Sequence, residues 1–337
     1  MAHLHHKRIT LVTVTYGDRL HYCAELLRRS FERDGVAHAI VISNNASADL
    51  SPLEAAWGRR VTIVRLAANT GSANGYAVGI ARALERDATD YIWLMDDDNA
   101  PCEGALDALC HQLDVLTRKQ GRNRVAVLGF RPDHQGDIAA GVPAGLAMPP
   151  RSSYFGFHVG RIPYKIWRRT PWGKPRPDAI PAVVQLPFAP YGGLLGHREM
   201  YVDLGLPEPE LVLYADDTEY TWRLTARGGC IALVTAARLE DLEGSWNVKR
   251  NWKNHFECML LSGSDFRAYY SSRNQAWFDR NHWSTSGLMY RLNRFVFLQL
   301  LRLYGKRRNA GARLRLLERA IADGEANRLG FHADYSL

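Results

Sequence analysis

The sequence predicts an α/β protein built around a parallel sheet, on three observations. Apolar, β-branched runs alternate with segments of helical period from Ile9 to Phe130, and each run ends in a polar turn. One of them, Tyr91 to Met95, leads directly into three consecutive aspartates, Asp96, Asp97 and Asp98. Strands joined by helices run parallel with right-handed crossovers, so their ends open on one edge of the sheet, where α/β enzymes bind ligands.

The elements follow in order. Ile9 to Thr15 reads as a strand, and after Gly17 and Asp18 the positions Cys23, Leu26, Leu27 and Phe31 fall on one face of a helix. Val36 to Ile42 is a second strand, ending in the turn Ser43 to Ser47. Val61 to Leu66 is a third, ending at Asn69, Thr70 and Gly71. Ser72 to Arg86 has helical spacing, Asp90 to Met95 is the fourth strand, residues 101–119 a helix opened by Asn99, Ala100 and Pro101, and Val125 to Phe130 a further strand. From Arg131 to Pro181 the periodicity dissolves into a Gly-, Pro- and Arg-rich stretch in which basic residues are interleaved with aromatics. That stretch is a solvated loop with aromatic anchors, or a basic lid or acceptor-binding surface. Order returns with a strand at Ala182 to Phe188, the glycine turn Tyr191, Gly192, Gly193, a short helix near His197 to Leu204, and a helix opened by Asp216, Asp217 and Glu219. Asp216 and Glu219 have capping-box spacing.

The 337 residues carry a formal charge of +8, which favours acidic partners such as nucleotides, nucleic acid or anionic lipid headgroups. The five cysteines are odd in number and widely spaced, so a disulfide framework is not indicated and a reducing cytoplasm fits. The polar start, Met1 to Arg8, predicts no signal peptide, and no segment is apolar for long enough to span a bilayer. From Leu288 to Arg319 apolar and basic residues alternate, as in amphipathic helices on anionic membranes or in a C-terminal helix packed on its domain.

The aspartate triplet repels itself unless a cation neutralises it, which suggests a divalent metal and, behind it, a phosphate. With Thr15 and Tyr16, the turn from Asn44 to Asp49, the series Asn69, Gly71, Ala73, Gly75, Gly79, the Gly192-Gly193 loop, Asp216-Asp217 and the late run Tyr269 to Asn274, the chain resembles the inverting nucleotide-sugar glycosyltransferases of family 2, which have the GT-A fold. The resemblance covers roughly Ile9 to Asn274. It implies a magnesium or manganese ion held by Asp96 and Asp98 on the donor diphosphate, with Asp97 as a ribose or sugar contact. It also implies nucleotide contacts from Thr15, Tyr16, Asn44, Asn69, Gly71 and Gly75. The glycine spacing by itself equally describes a tightly packed helix.

The same resemblance assigns Asp217 the role of general base, and Gly192, Gly193, Asp216 and Trp222 the acceptor side. Many relatives carry a metal-binding histidine after the strand that corresponds to Cys230 to Thr235. Here Leu239 to Glu243 occupies that stretch, so Asp241 stands in as an oxygen ligand, with His255 further along. The chain looks most like bacterial galactofuranosyl- and rhamnosyltransferases. That implies UDP-galactofuranose as the favoured donor, or dTDP-rhamnose, with a cell-surface polysaccharide on a lipid carrier as acceptor and a peripheral place on the inner face of the cytoplasmic membrane. The expected organisation is a catalytic domain over 1–230 and, over 231–337, an extension that completes the active site and forms basic amphipathic helices. Two rivals are a nucleotidyl- or phosphotransferase, which would bring a G-x-x-x-x-G-K-[ST] loop not found here, and a nonenzymatic nucleic-acid binder, for which charge alone argues.

Overall fold

The computed structural model describes residues 7–45, 47–174, 176, 180–243, 252 and 254–337. Ala46 of the second turn and the first six residues lie outside them. The described strands are β1 (Ile9–Thr15), β2 (His38–Asn44), β3 (Val61–Leu66), β4 (Tyr91–Asp96), β5 (Asn99–Pro101), β6 (Val125–Phe130), β7 (Val183–Leu186), β8 (Leu194–His197) and β9 (Cys230–Asp241). They hydrogen-bond in the order β3-β2-β1-β4-β8-β6-β9-β5, with β7 also on β9. This is the expected α/β class, a mixed sheet flanked by helices.

β1 to β4 are mutually parallel, and their ends are level. Val14 stands opposite Asp96, Thr15 opposite Ser43, and Asn44 opposite Leu66. The turn after each strand therefore emerges on one edge, as the alternation of strand and helix requires. Beyond β4 the sheet changes character, because β8 runs antiparallel to both β4 and β6. That strand is absent from the sequence reading, being only four residues, Leu194 to His197, directly behind the glycine turn.

β9 runs well past the expected Thr235. Its pairing with β6 shifts register between Gly129 and Phe130, and its far end pairs with β5, where Asn99 faces Asp241. Asn99 to Pro101 thus form a short strand instead of opening a helix, and the helix begins only at Ala105. A proline, lacking an N–H, suits this peripheral position.

Helices Leu20–Glu32 and Ala105–Gln120 cover one face, where Leu26, Leu27, Leu106 and Leu109 bury against Leu11, Val41, Trp93 and Val127. Helix Gly71–Leu84 lies on the other, and its glycines set how close it comes. A Cβ on Gly75 would stand 2.7 Å from Val14 Cγ1, and one on Gly79 would stand 2.4 Å from Val12 Cγ1. Gly75, expected at the nucleotide, is therefore committed to helix packing, the alternative that its spacing left open. Replacing Gly79 with Ala overpacks this contact, and urea denaturation should show a loss of about 1–3 kcal/mol.

The chain packs as two compact units, one of 1–135, 181–212 and 216–244, the other of 136–180, 213–215 and 245–337. β9 lies in the first unit although it extends beyond residue 230, and 136–180 lie in the second. Helices Asp265–Phe278, Gly287–Arg307 and Gly311–Glu325 build the second unit around Tyr154, Phe297, Leu301, Leu317 and Ile321. The late tyrosine-rich run lies on the first of these helices with Tyr269, Tyr270, Arg273 and Asn274 buried. Asn274 donates both amide hydrogens, at 2.9 Å each, to the carbonyls of Leu213 and Tyr214. Among the described residues no helix is long and apolar enough to cross a membrane.

Candidate active site

The three aspartates leave the end of β4 in different directions, and each finds a different partner. Asp96 accepts from the Tyr76 hydroxyl at 3.0 Å and from the Arg131 guanidinium at 3.0 Å. Asp97 is buried and pairs with Arg19 Nε at 2.8 Å. Asp98 pairs with Nη2 of the same arginine at 2.7 Å and accepts from the Asn99 amide at 2.6 Å. Arg19 also reaches Glu243 at 2.7 Å. The charge compensation that the triplet demands is supplied by two arginines of the chain itself.

Neither arginine was singled out in the sequence, since Arg19 stands just before a helix and Arg131 at the start of an irregular stretch. Burial alone would make the Arg19 guanidinium easier to deprotonate, yet the charges of Asp97 and Asp98 outweigh it and hold the group firmly protonated. Asp98 is pushed up to about 7 by burial first and by the charges of Asp96 and Asp97 next, with Arg19 opposing. Removing a nearly buried arginine that holds two carboxylates strands both of them. Arg19→Ala should therefore lower stability by about 3 kcal/mol in chemical denaturation, and an unchanged midpoint would refute this account of the cluster.

Asp241 comes to the same corner through the β5–β9 pairing. The backbone N–H of the next residue, Leu242, donates to the Asp98 carbonyl at 2.7 Å, and Asp98 feels the Asp241 charge. Its carboxylate lies 3.2 Å from His134 Nε2, a histidine outside the sequence-predicted set. His255 opens a helix of the second unit. Asp96, Asp98, Asp241 and His134 offer oxygen and imidazole donors of the type that magnesium or manganese takes, so the residues fit such an ion in chemistry. As the side chains stand, no three metal-binding groups converge among the described residues, and Asp96 and Asp98 would have to release their arginines.

The glycine loop explains how Asp96 sits. A Cβ on Gly192 would fall 2.2 Å from Asp96 Oδ2, so only glycine lets this carboxylate lie against the loop. Gly193 has φ +99° and ties the loop to both neighbouring strands, donating to Leu94 and accepting from Gly129. Next to it the Tyr191 ring lies tilted at 4.1 Å against that of Tyr76, the tyrosine that holds Asp96, and burial and then the charge of Asp216 raise the proton affinity of Tyr191. A tyrosine pair thus links the triplet to the second acidic pair.

That pair opens helix Asp216–Ala226, where the helix dipole favours negative charge. Asp216 is buried and accepts from the Ser72 hydroxyl at 2.9 and 3.0 Å. Its affinity for a proton is raised by burial first and by Asp217 next. Asp217 is partly exposed and accepts from the Thr218 backbone at 2.6 Å. It is pushed up to about 6, by burial first and also by Asp96, while the Thr218 N–H and Arg131 act the other way. Asp217 therefore shares one electrostatic environment with the triplet. The expected capping box does not form, because Glu219 turns to Arg223 at 2.6 Å. Trp222, five residues beyond Asp217, lies roughly 140° around the helix from it and does not share its face.

The approach to this helix is conformationally costly. Val212, Tyr214 and Ala215 all have positive φ, rare for residues with a Cβ. Gly71, at φ +81°, lies under this turn, where a Cβ would meet the Val212 carbonyl oxygen at 1.9 Å.

On the nucleotide side, Asn44 is buried with both amide atoms committed. It donates to Asn69 and the Gly71 carbonyl, and it accepts from the Thr70 N–H at 2.9 Å. Asn44 and Asn69 thus shape the third turn from within. Thr15 is buried at the end of β1, whereas Tyr16 is exposed, with Arg19 over its ring at 5.2 Å. Of these predicted contacts, Tyr16 presents the open aromatic surface.

No protein-family model matches the chain, and no curated protein matches it in sequence. Solved structures with similar folds include GalNAc-T7 with UDP, GalNAc and Mn2+, at 14% identity and a TM-score of 0.48, covering 79% of this chain. This chain spans about half of that protein, 51% of its length. TarS residues 1–349 from S. aureus with UDP-GlcNAc aligns at 11% identity, covering 80% of this chain and 65% of its own, with a TM-score of 0.44. The mannosyltransferase PcManGT from Pyrobaculum calidifontis with GDP-Man and Mn2+ aligns at 14% identity, covering 95% and 88%, with a TM-score of 0.49.

Proposed function

We propose that this protein is an inverting glycosyltransferase that moves a sugar from a nucleotide-sugar donor to a saccharide hydroxyl. The observation that carries the reading is the placement of Asp217. A carboxylate with a raised proton affinity stands partly exposed within the electric field of Asp96 and Arg131, at the edge where the turns of β1 to β4 emerge. A base for hydroxyl deprotonation and a charged corner for a diphosphate are the two things such a transfer needs.

In this reading Asp217 takes the proton of the acceptor hydroxyl as its oxygen bonds to the anomeric carbon. The bond from that carbon to the diphosphate breaks on the opposite side, and its electron pair leaves with the phosphate oxygen. A divalent ion held by Asp96, Asp98 and Asp241 would supply positive charge for that leaving group. Asp216, whose proton affinity is raised by burial and which Ser72 anchors, keeps the helix start in place beside Asp217, and Tyr16 offers its ring to the nucleotide base. The resemblance to bacterial galactofuranosyl- and rhamnosyltransferases favours UDP-galactofuranose, then dTDP-rhamnose, and a lipid-linked polysaccharide acceptor at the membrane.

A donor screen with saccharide acceptors tests this, with the product anomer read by NMR. The expected product has inverted configuration, formed from one of these two donors. Absence of transfer from every common nucleotide sugar, with the folded state intact, would exclude the reading.

A further inference from the structure

The second unit exposes large apolar side chains that its own core leaves uncovered. On helix Gly287–Arg307, Leu288, Leu292 and Phe295 follow one another at spacings of four and three residues, so they share a face. Leu288 is 82% exposed and Phe295 60%. The opposite face of this helix, through Phe297 and Leu301, fills the core. Its outward stripe is therefore not needed for folding.

A second stripe lies on the segment that packs beside this helix. The Val159 N–H donates to Asn293 at 2.9 Å, and Phe155 stacks on Phe297 at 5.0 Å, fixing residues 155–159, where the strap starts, against the core-facing side of the helix. Immediately after Val159–Arg161 comes the short helix Ile162–Trp167, from which Ile162, Ile166 and Trp167 face solvent. Trp172, further along, is 84% exposed. Exposed tryptophans of this size are costly in water and characteristic of surfaces that meet a headgroup region.

Charge selects the occupant. Neither residues 151–176 nor helix Gly287–Arg307 contains a single Asp or Glu, while both are rich in Arg and Lys. Lys165, Arg169 and Lys174 are exposed along the strap, and Arg291 and Lys306 along the helix. Arg168 pairs with Asp137, Arg294 with Glu325 and Arg302 with Glu318, acids of neighbouring segments, which leaves the other cations to flank the apolar side chains and match a bilayer whose headgroups are anionic and whose acyl chains accept the rings. A polynucleotide would satisfy the cations and leave Leu288, Ile166 and Phe295 in water.

We infer that the strap of residues 159–174 and the outward face of helix Gly287–Arg307 form a docking surface for an anionic lipid bilayer, into which Trp167, Trp172 and Phe295 insert. The inference deepens the reading of a lipid-linked acceptor by naming the surface that meets the membrane. It does not require the transfer reaction to be correct.

The test is flotation of the full-length protein with vesicles of phosphatidylcholine alone or with added phosphatidylglycerol, together with tryptophan emission. The expected result is partitioning that rises with the anionic fraction, accompanied by a blue shift. Trp167→Ser combined with Trp172→Ser should weaken partitioning about tenfold and abolish most of the shift, while thermal melting stays at the wild-type temperature because both side chains are exposed. Arg169→Glu with Lys174→Glu should weaken binding to anionic vesicles only. Failure to float with either vesicle overturns the inference, as does binding to polyuridylate that equals vesicle binding and ignores the Trp changes. Sugar transfer to a soluble acceptor by a protein that does not float would overturn the membrane surface alone. Flotation without transfer from any donor would overturn the enzymatic reading alone.

Discussion

Asp217→Asn is expected to lower kcat by about three orders of magnitude while leaving the affinity for a nucleotide sugar within about twofold, since general-base catalysis contributes roughly 10²–10⁴. The amide preserves shape and can still accept from the Thr218 N–H, so the helix start should survive. It cannot accept a proton from an acceptor hydroxyl. The pH profile gives the sign independently. The raised proton affinity of Asp217, about 6, means that the ionised form needed for catalysis is lost as pH falls through that value. Wild-type turnover should therefore decline about tenfold per unit below pH 6, and the residual turnover of the Asn variant should lack that limb. Asp216→Asn should behave differently. Asp216 is the buried, proton-retaining member of the pair, so its amide should cost far less turnover near neutrality. A variant at 217 with unaltered turnover and an unaltered acid limb would place the base elsewhere.

The parallel half of the sheet was legible because each of its strands is a β-branched run closed by a polar turn and followed by a segment of helical period. β1 and β3 match their expected bounds, whereas β4 is displaced by one residue and β2 by two. The antiparallel part left no such trace. β8 has four residues, one of them glycine, and β5 contains a proline, so neither shows alternation over a useful length. The extension of β9 past Thr235 depends on a register shift against β6, a tertiary event that no local pattern encodes.

Much the same division runs through the site. The acidic groups were legible as clusters at element ends, because dense like charge in sequence is itself unusual. Their partners were not, since Arg19 and Arg131 acquire meaning only when the strand ends are brought level, and among many arginines neither stands out. Tyr76 lies on a helix read for its small residues, and His134 in a stretch without periodicity. Conversely, Gly75 and Asn44 carry motif signals whose cause in this structure is close packing and turn geometry. A motif records that a position is constrained without saying whether a ligand or the fold imposes the constraint.

Asp98→Ala should abolish most of the thermal stabilisation that wild-type protein gains from manganese and a UDP-sugar together. A ligand present at a hundredfold its Kd stabilises the native state by about 2.7 kcal/mol, a shift of several degrees that differential scanning fluorimetry resolves. Asp98 is the member of the triplet whose proton affinity is raised toward 7 by burial and by its neighbours, so its negative charge is stored against repulsion and is most relieved by a cation. The same fact predicts the pH dependence. Protonated Asp98 offers no anionic ligand, so the ligand-induced shift should shrink as pH falls through about 7, and the Ala variant should show no such trend. Without ligand, Asp98→Ala should cost little stability, since Arg19 keeps Asp97 and Glu243. An undiminished shift in the variant would mean that the donor and its ion do not engage Asp98, and that the arginine pairing of the triplet is its resting and working state alike.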